Sequence, residues 1–293
     1  MIAALRNLGR TTLKWLSFVH NGRATYGIVQ GNGVVDVGAM EPQAKTLKDL
    51  IASGRLAAAG AAAAASSADL PLAGLRYLPV VTNPDKILCV GLNYKAHQEE
   101  TGRGGEPNPT IFVRFAAAQM GHDDEMWLPR ESDRLDFEGE IALIIGKAGR
   151  RIAKESALEH VIGIAPYNDG SVRDWQRHTS QFTPGKNFAH TGGFGPWMVT
   201  QDEAGDLNKL ELTTRLNGEV MQHATADLLV FGFAAIIAYC STFVELVPGD
   251  VIVTGTPGGV GAARNPPLFM KVGDVIEVEV KPIGILRNRI VAN

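Results

Sequence analysis

The sequence predicts a mainly β, α+β chain: a mixed β-sandwich roll preceded by a small α+β unit. Three observations lead there. From Lys86 onward, short apolar segments recur (ILCVG, IALIIG, VIGIAPYN, GDVIVTG, GDVIEVEV), each broken off by Gly or Pro turns. Few helical stretches separate them, the clearest being residues 224–246, so a regular βαβ alternation is excluded. Ahead of them, residues 1–75 have a different texture, which sets a domain boundary near residue 75 and assigns 76–293 to the strand-rich unit.

In order along the chain, MIAALRNLGRTTLKW has an apolar run of only about four residues, short of the roughly 7–15 of a signal-peptide core. It reads as a ragged start before a first strand. Residues 16–19, 26–30 and 33–37 are β-branched or aromatic and are separated by Asn-Gly and Gly-Asn-Gly, which predicts a small meander. Residues 46–54 predict a short helix with Thr46 as N-cap and Gly54 at its end. The alanine-rich stretch 56–68 reads equally as helix or linker. Residues 228–244 lack a charge, but about 17 residues fall short of the roughly 20 that span a bilayer. Asp227 and Glu245 flank them where Lys or Arg anchors belong, so a buried helix is expected.

Composition excludes several functions. The 293 residues carry 28 basic and 31 acidic side chains, a net charge of −3, which argues against a nucleic-acid clamp or a polybasic membrane binder. With 45% hydrophobic and 20% charged residues, extensive disorder is excluded. Glycine, 33 residues, is in excess and points to turns and ligand loops. Cys89 and Cys240 are too few and too far apart for a disulfide framework, which suits a reducing cytoplasm.

The chemical content begins in LDFEGEIALIIG. Glu138 and Glu140 are two apart at the start of an apolar strand, so they share a face, and Asp136 shares their parity. Carboxylates held together on a buried element repel unless a cation compensates them. An exposed polar edge is the ordinary reading of E-x-E, but Asp169, at the end of VIGIAPYND, supplies a second acidic site. Three carboxylates without clustered Cys or His suit Mg²⁺ or Mn²⁺, with Ca²⁺ also open, better than zinc. In ILCVGLNYKAHQEETG, His97 and Glu100 share a face if the segment is helical, the arrangement of an oriented base, with Glu99 a competing partner. The following TGRGGEPNPT is a candidate lid. VTGTPGGVG, with Gly255 and Thr256, offers N–H groups and a hydroxyl to an anion but lacks the Walker signature. Arg173, Gln176 and Lys186 lie close to Asp169 in sequence and are candidate anion holders.

Together ILCVGLNYKAHQEE, LDFEGEIALIIGK, IGIAPYNDGSVRDWQ, PGKNF, GPW, AAIIAYCSTFVELVPGDVIVTGTPGGVG and VGDVIEVEVKPIGILRN resemble the fumarylacetoacetate hydrolase family over about residues 86–290. The resemblance implies a dimeric β-sandwich roll with a divalent metal in its mouth. It implies Glu138, Glu140 and Asp169 as ligands, His97 with Glu100 as the water-activating pair, and Lys186 as the oxyanion or enolate stabiliser. Arg173, Gln176, Gly255 and Thr256 would contact a small anionic 2-oxo or 2,4-dioxo acid. The leading expectation is a cytoplasmic, homodimeric, metal-dependent hydrolase cleaving a C–C bond in an acylpyruvate-type acid from aromatic catabolism. A lyase or isomerase on such an acid (oxaloacetate decarboxylase, tautomerase, 2-oxo-enoate hydratase) is the alternative, and a non-catalytic dicarboxylate binder another. Arg114 and Phe115 stand where the family often has Lys and Pro, which predicts a change near the substrate mouth. His178 and His190 are expected at the surface.

Overall fold

Asn21 (φ 50°) and Gly22 (φ 74°) take the left-handed conformation together, the geometry of a two-residue hairpin turn matched to strand twist. The turn sets Lys14–His20 and Arg23–Gln30 in register from Trp15 opposite Ile28 to His20 opposite Arg23. Gly33–Val35 completes the meander. The computed structural model describes residues 12–293, so most of the expected ragged start lies outside the described residues.

The meander does not stand alone as a sheet. Lys14 and Trp15 pair with Val199 and Met198, which joins it to a 13-stranded sheet running through the rest of the chain. A second sheet of five strands is ordered Glu219–Thr225, Glu211–Leu216, Val275–Lys281, Gly284–Ala292 and Glu125–Leu128. The large sheet is apolar on both faces. Ile141, Leu143 and Ile145 meet Leu212, Val278 and Val280 of the second sheet. The alternate residues, Ala142 and Ile144, belong to a core with Trp15, Leu47 and Leu50. Burial on both sides is why this strand reads as an unbroken apolar run in place of an alternating one.

Three helices settle local questions. Thr46 caps Leu47–Ala52 through a reciprocal capping box with Asp49, as its spacing predicts. The alanine-rich stretch is a helix, Leu56–Ala64, which buries Leu56, Ala59, Gly60 and Ala63. The long apolar run holds a helix shorter than expected. Phe233–Phe243 begins after Gly232, and residues up to Thr225 belong to the strand Glu219–Thr225, so the predicted helix over 224–246 is corrected at both ends. Among the described residues no helix is long and apolar enough to cross a membrane.

What positions the site is one end of the large sheet. Ile87–Gly91 and Val251–Val253 run parallel, so both chain exits lie together. Gly139–Ile145 runs against Val251–Val253 and begins at that end. Val161–Asp169 finishes there, with Gly139 opposite Asn168. The helix Lys95–Thr101, residues 138–140, Asp169 and the 254–261 loop are therefore neighbours despite their separation in sequence.

Candidate active site

At that sheet end lies a cavity of about 410 Å³. It is lined by His97, Glu100, Glu138, Glu140, Arg173, Gln176, Lys186 and Thr256 among the expected residues. Its remaining walls include Phe112, Phe182, Val260, Arg103 and Arg177.

Glu138, Glu140 and Asp169 are buried and bring one oxygen each to within 4.8 Å of one another. Three cations surround them. Lys186 Nζ lies 2.6 Å from Glu138 Oε2 and 2.7 Å from Asp169 Oδ2. Arg173 reaches Glu138 Oε1 at 2.6 Å and Asp136 at 2.8 Å. Arg114 reaches Asp169 Oδ1 at 2.5 Å. Burial opposes ionisation of Glu138, but Lys186 and Arg173 on its two oxygens outweigh it and hold that carboxyl well below its usual range. Burial likewise disfavours a charged Lys186, yet Asp169 and Glu138 raise its pKa above the ordinary lysine value.

Glu140 is the exception. Burial first, then the charges of Asp169 and Glu138, push its carboxyl well above the usual range, and among the described residues its only hydrogen-bond partner is the Gly255 N–H. Counting Asp136, four carboxylates face three cations, and Glu140 is the one left without a counter-ion. A cluster of hard oxygen donors whose third member, Glu140, forms no salt bridge among the described residues fits a divalent cation such as Mg²⁺ or Mn²⁺. Mn²⁺ at about 100 times its Kd should therefore contribute roughly 2.7 kcal/mol, raising the melting temperature by about 4–5 °C, with EDTA reversing the shift. In Glu140→Ala, calorimetry should show Mn²⁺ affinity reduced at least about 100-fold.

The second group is the pair on Lys95–Thr101. His97 Nδ1 and Glu100 Oε1 are 2.7 Å apart, and Glu100 Oε2 accepts from the Gly259 N–H at 2.7 Å. Glu99 instead points outward near Lys95, which removes it as a competing partner. With Nδ1 engaged, Nε2 is the ring nitrogen left to face a ligand.

The glycine-rich loop revises an expectation. Its N–H groups do bind anions, but the anions are the protein's own carboxylates. Gly255 donates to Glu140 and Gly259 to Glu100, while Gly261 and Ala262 donate to the two oxygens of Asp136. The Thr256 hydroxyl donates to Gly139 O and accepts from Gln222. The loop thus holds the acidic side chains in place, and the Gly255 N–H expected to meet substrate is spent on Glu140. Glycine is required at 259, where φ is +103° and a Cβ would lie 2.3 Å from Met221 O.

Arg114 also departs from expectation. It is not at the mouth but behind Asp169, fully buried, and bonds Gly170 O at 2.9 Å and Thr191 Oγ1 at 2.8 Å. Its alternation with buried Phe112 and exposed Val113 on Thr110–Arg114 is the sequence signal that locates it. Asp136, noted only for its parity, proves to be the anchor of Arg173. His178 and His190 do not line the cavity; His190 stacks on Trp127 at 3.9 Å, and His178 lies beside Trp175.

A sequence model of the family described as "Fumarylacetoacetate (FAA) hydrolase C-terminal" matches residues 86–291. The chain belongs to the fumarylacetoacetate hydrolase family. It is 40% identical over 266 residues to a Bos taurus protein named oxaloacetate tautomerase FAHD2A, mitochondrial, covering 89% of this chain and 85% of that one. Among solved structures, the fumarylacetoacetate hydrolase of Exiguobacterium antarcticum superposes with a TM-score of 0.80 at 33% identity, covering 96% of this chain and 100% of that one. Maleylpyruvate hydrolase from Sphingobium sp. SYK-6, in complex with manganese(II) ion and pyruvate, gives a TM-score of 0.80 at 28% identity, covering 96% and 99%. This family membership agrees with the mixed-sheet architecture.

Proposed function

We propose that the chain interconverts the keto and enol forms of a small 2-oxo dicarboxylic acid of the oxaloacetate type. The observation that carries this reading is one cavity lined both by the His97–Glu100 pair and by Glu138 and Glu140, two of the three clustered carboxylates. Tautomerisation needs one group to move a proton at carbon and a second centre to steady charge on the 2-oxo oxygen. It needs no attacking water. The relative named as an oxaloacetate tautomerase is 40% identical over most of the chain, so this reading takes precedence over C–C hydrolysis.

Glu138, Glu140 and Asp169 would hold Mg²⁺ or Mn²⁺. When bound, such a cation supplies Lewis-acid polarisation of the 2-oxo group and lowers the barrier to losing the neighbouring proton. Arg173 Nη2 is buried without a hydrogen-bond partner, while Arg173 Nη1 is held by Gln176. That orphan donor suits a substrate carboxylate oxygen. His97 Nε2 takes the proton from C3 and releases it to solvent, while the 2-oxo oxygen takes up a proton from solvent to complete the enol; both transfers run backwards in the other direction, and Glu100 holds the ring. Lys186, positively charged among carboxylates, adds to the field that favours the enol oxygen's negative charge.

Hydrolysis keeps one specific support, since an oriented imidazole also activates water and a structural neighbour is a maleylpyruvate hydrolase bound to pyruvate. The decisive test follows oxaloacetate by its enol absorbance and by NMR, with and without Mg²⁺. The expected result is faster keto–enol exchange and C3 deuterium incorporation with the four-carbon acid intact. Release of CO₂, or cleavage of acylpyruvates into two fragments, would sink the tautomerase reading. A homodimer accompanies it, supported by the exposed apolar side chains of Leu228, Val230, Tyr239 and Phe243. Light scattering should give twice the 31.3 kDa chain mass. Both cysteines are free and buried, which suits a reducing compartment.

A further inference from the structure

Two arginines at the outer part of the cavity, Arg103 and Arg177, form no salt bridge with any carboxylate among the described residues. They contrast with Arg173 and Lys186 deeper inside, whose charges are taken up by Asp136, Glu138 and Asp169.

Their placement follows from two short helices. Lys95–Thr101 carries His97 and Glu100 and ends at Gly102, whose left-handed backbone (φ 63°) lets the Arg103 N–H close on Gln98 O at 3.1 Å. Arg173–Gln176 carries the inner Arg173 and Gln176 and ends with Arg177 as its C-cap, the Arg177 N–H donating to Asp174 O at 3.0 Å. Each helix thus presents a pair of inner site residues and then an outer guanidinium. Both arginines line the same cavity, and the Arg103 guanidinium lies 5.5 Å over the ring of Phe182, another of its walls. Two aromatic rings connect the inner charged floor to Arg103: Lys186 Nζ lies 5.0 Å over Phe112, whose ring is 5.7 Å from that of Phe182.

We propose that Arg103 and Arg177 form a subsite for the second carboxylate of a 2-oxo diacid, and that this subsite makes the cavity prefer diacids over monoacids. The assignment rests on the 2-oxo acid reading of the inner site and adds the feature at the far end of the substrate. An anion at one end of the ligand meets the cation site and Arg173, and an anion at the other meets planar guanidinium forks suited to carboxylate. The two aromatic rings accommodate the carbon chain.

The experiment is calorimetric titration of the Mn²⁺-loaded chain with 2-oxoglutarate and 2-oxopentanoate, five-carbon acids that differ in one terminal carboxylate. The wild type is expected to bind the diacid at least about tenfold more tightly, the discrimination of one charge-assisted contact. The Arg103→Met/Arg177→Met double variant should bring that ratio to about one, with each single variant between. Arg177→Glu should favour the monoacid. Both side chains are exposed, so an unchanged circular dichroism spectrum and melting temperature are expected to accompany the loss. A double variant that keeps the wild-type ratio overturns the subsite, as does a wild type that binds neither acid or shows no preference. Because binding needs no turnover, a chain that fails to isomerise oxaloacetate yet discriminates through these arginines loses the tautomerase reading and keeps the subsite. The opposite pattern does the reverse.

Discussion

Replacing His97 with Ala is expected to lower kcat for oxaloacetate tautomerisation by about 10²–10⁴, the usual contribution of a positioned general base. Mn²⁺ affinity, read by calorimetry, should stay close to wild type, because His97 pairs with Glu100 and makes no hydrogen bond to Glu138, Glu140 or Asp169. Glu100→Gln should lose less, since the amide still bonds the ring and the Gly259 N–H but no longer stabilises the protonated imidazole. An unchanged kcat in His97→Ala would remove the proton-transfer role and leave the cation site as the sole source of catalysis. A fall in metal affinity equal to the fall in rate would instead mark His97 as part of that site.

Arg114→Met is expected to be the most destabilising single change at the site. Arg114 and Asp169 are both fully buried, and Asp169 Oδ1 receives from Arg114 while Oδ2 receives from Lys186. Deleting one partner of a buried ion pair strands the other charge, at a cost of about 3–5 kcal/mol. For a chain of this size that is about 5–8 °C in melting temperature. Four carboxylates would then face two cations, so added Mn²⁺ should raise the melting temperature of the variant by more than that of the wild type. An equal rise in both would show that Arg114 acts through packing alone. Arg114→Lys should recover part of the loss, because a single ammonium keeps the charge but cannot bond Asp169, Gly170 O and Thr191 together in the same fork.

Much of the site was legible because it is written in local patterns. The i, i+3 spacing of His97 and Glu100 became a helical pair, and the E-x-E at the head of an apolar strand became two adjacent ligand candidates. Asp169 could be placed at a strand end from VIGIAPYND alone. The glycine-rich loop was legible as an anion binder but not for which anion. Its N–H groups close on Glu100, Asp136 and Glu140, contacts spanning more than a hundred residues, and no local signal distinguishes a protein carboxylate from a ligand's. Arg114 was misplaced for a similar reason. Its place behind the site depends on Asp169 and Thr191, 55 and 77 residues away.

The sequence by itself determined the β-rich class, the residues able to hold a hard cation and a base, and the family to which these motifs belong, because strand period, helix spacing and turn chemistry are short-range properties. Tertiary structure alone decided the charge balance. Whether Lys186, Arg173 and Arg114 answer a substrate or the protein's own carboxylates depends on burial and on distances of 2.5–2.8 Å across the sheet end. Among the described residues, the same long-range packing left Glu140 without a salt-bridge partner inside, and Arg103 and Arg177 without one at the rim. Buried charges must be compensated where they sit, and only the fold fixes where that is.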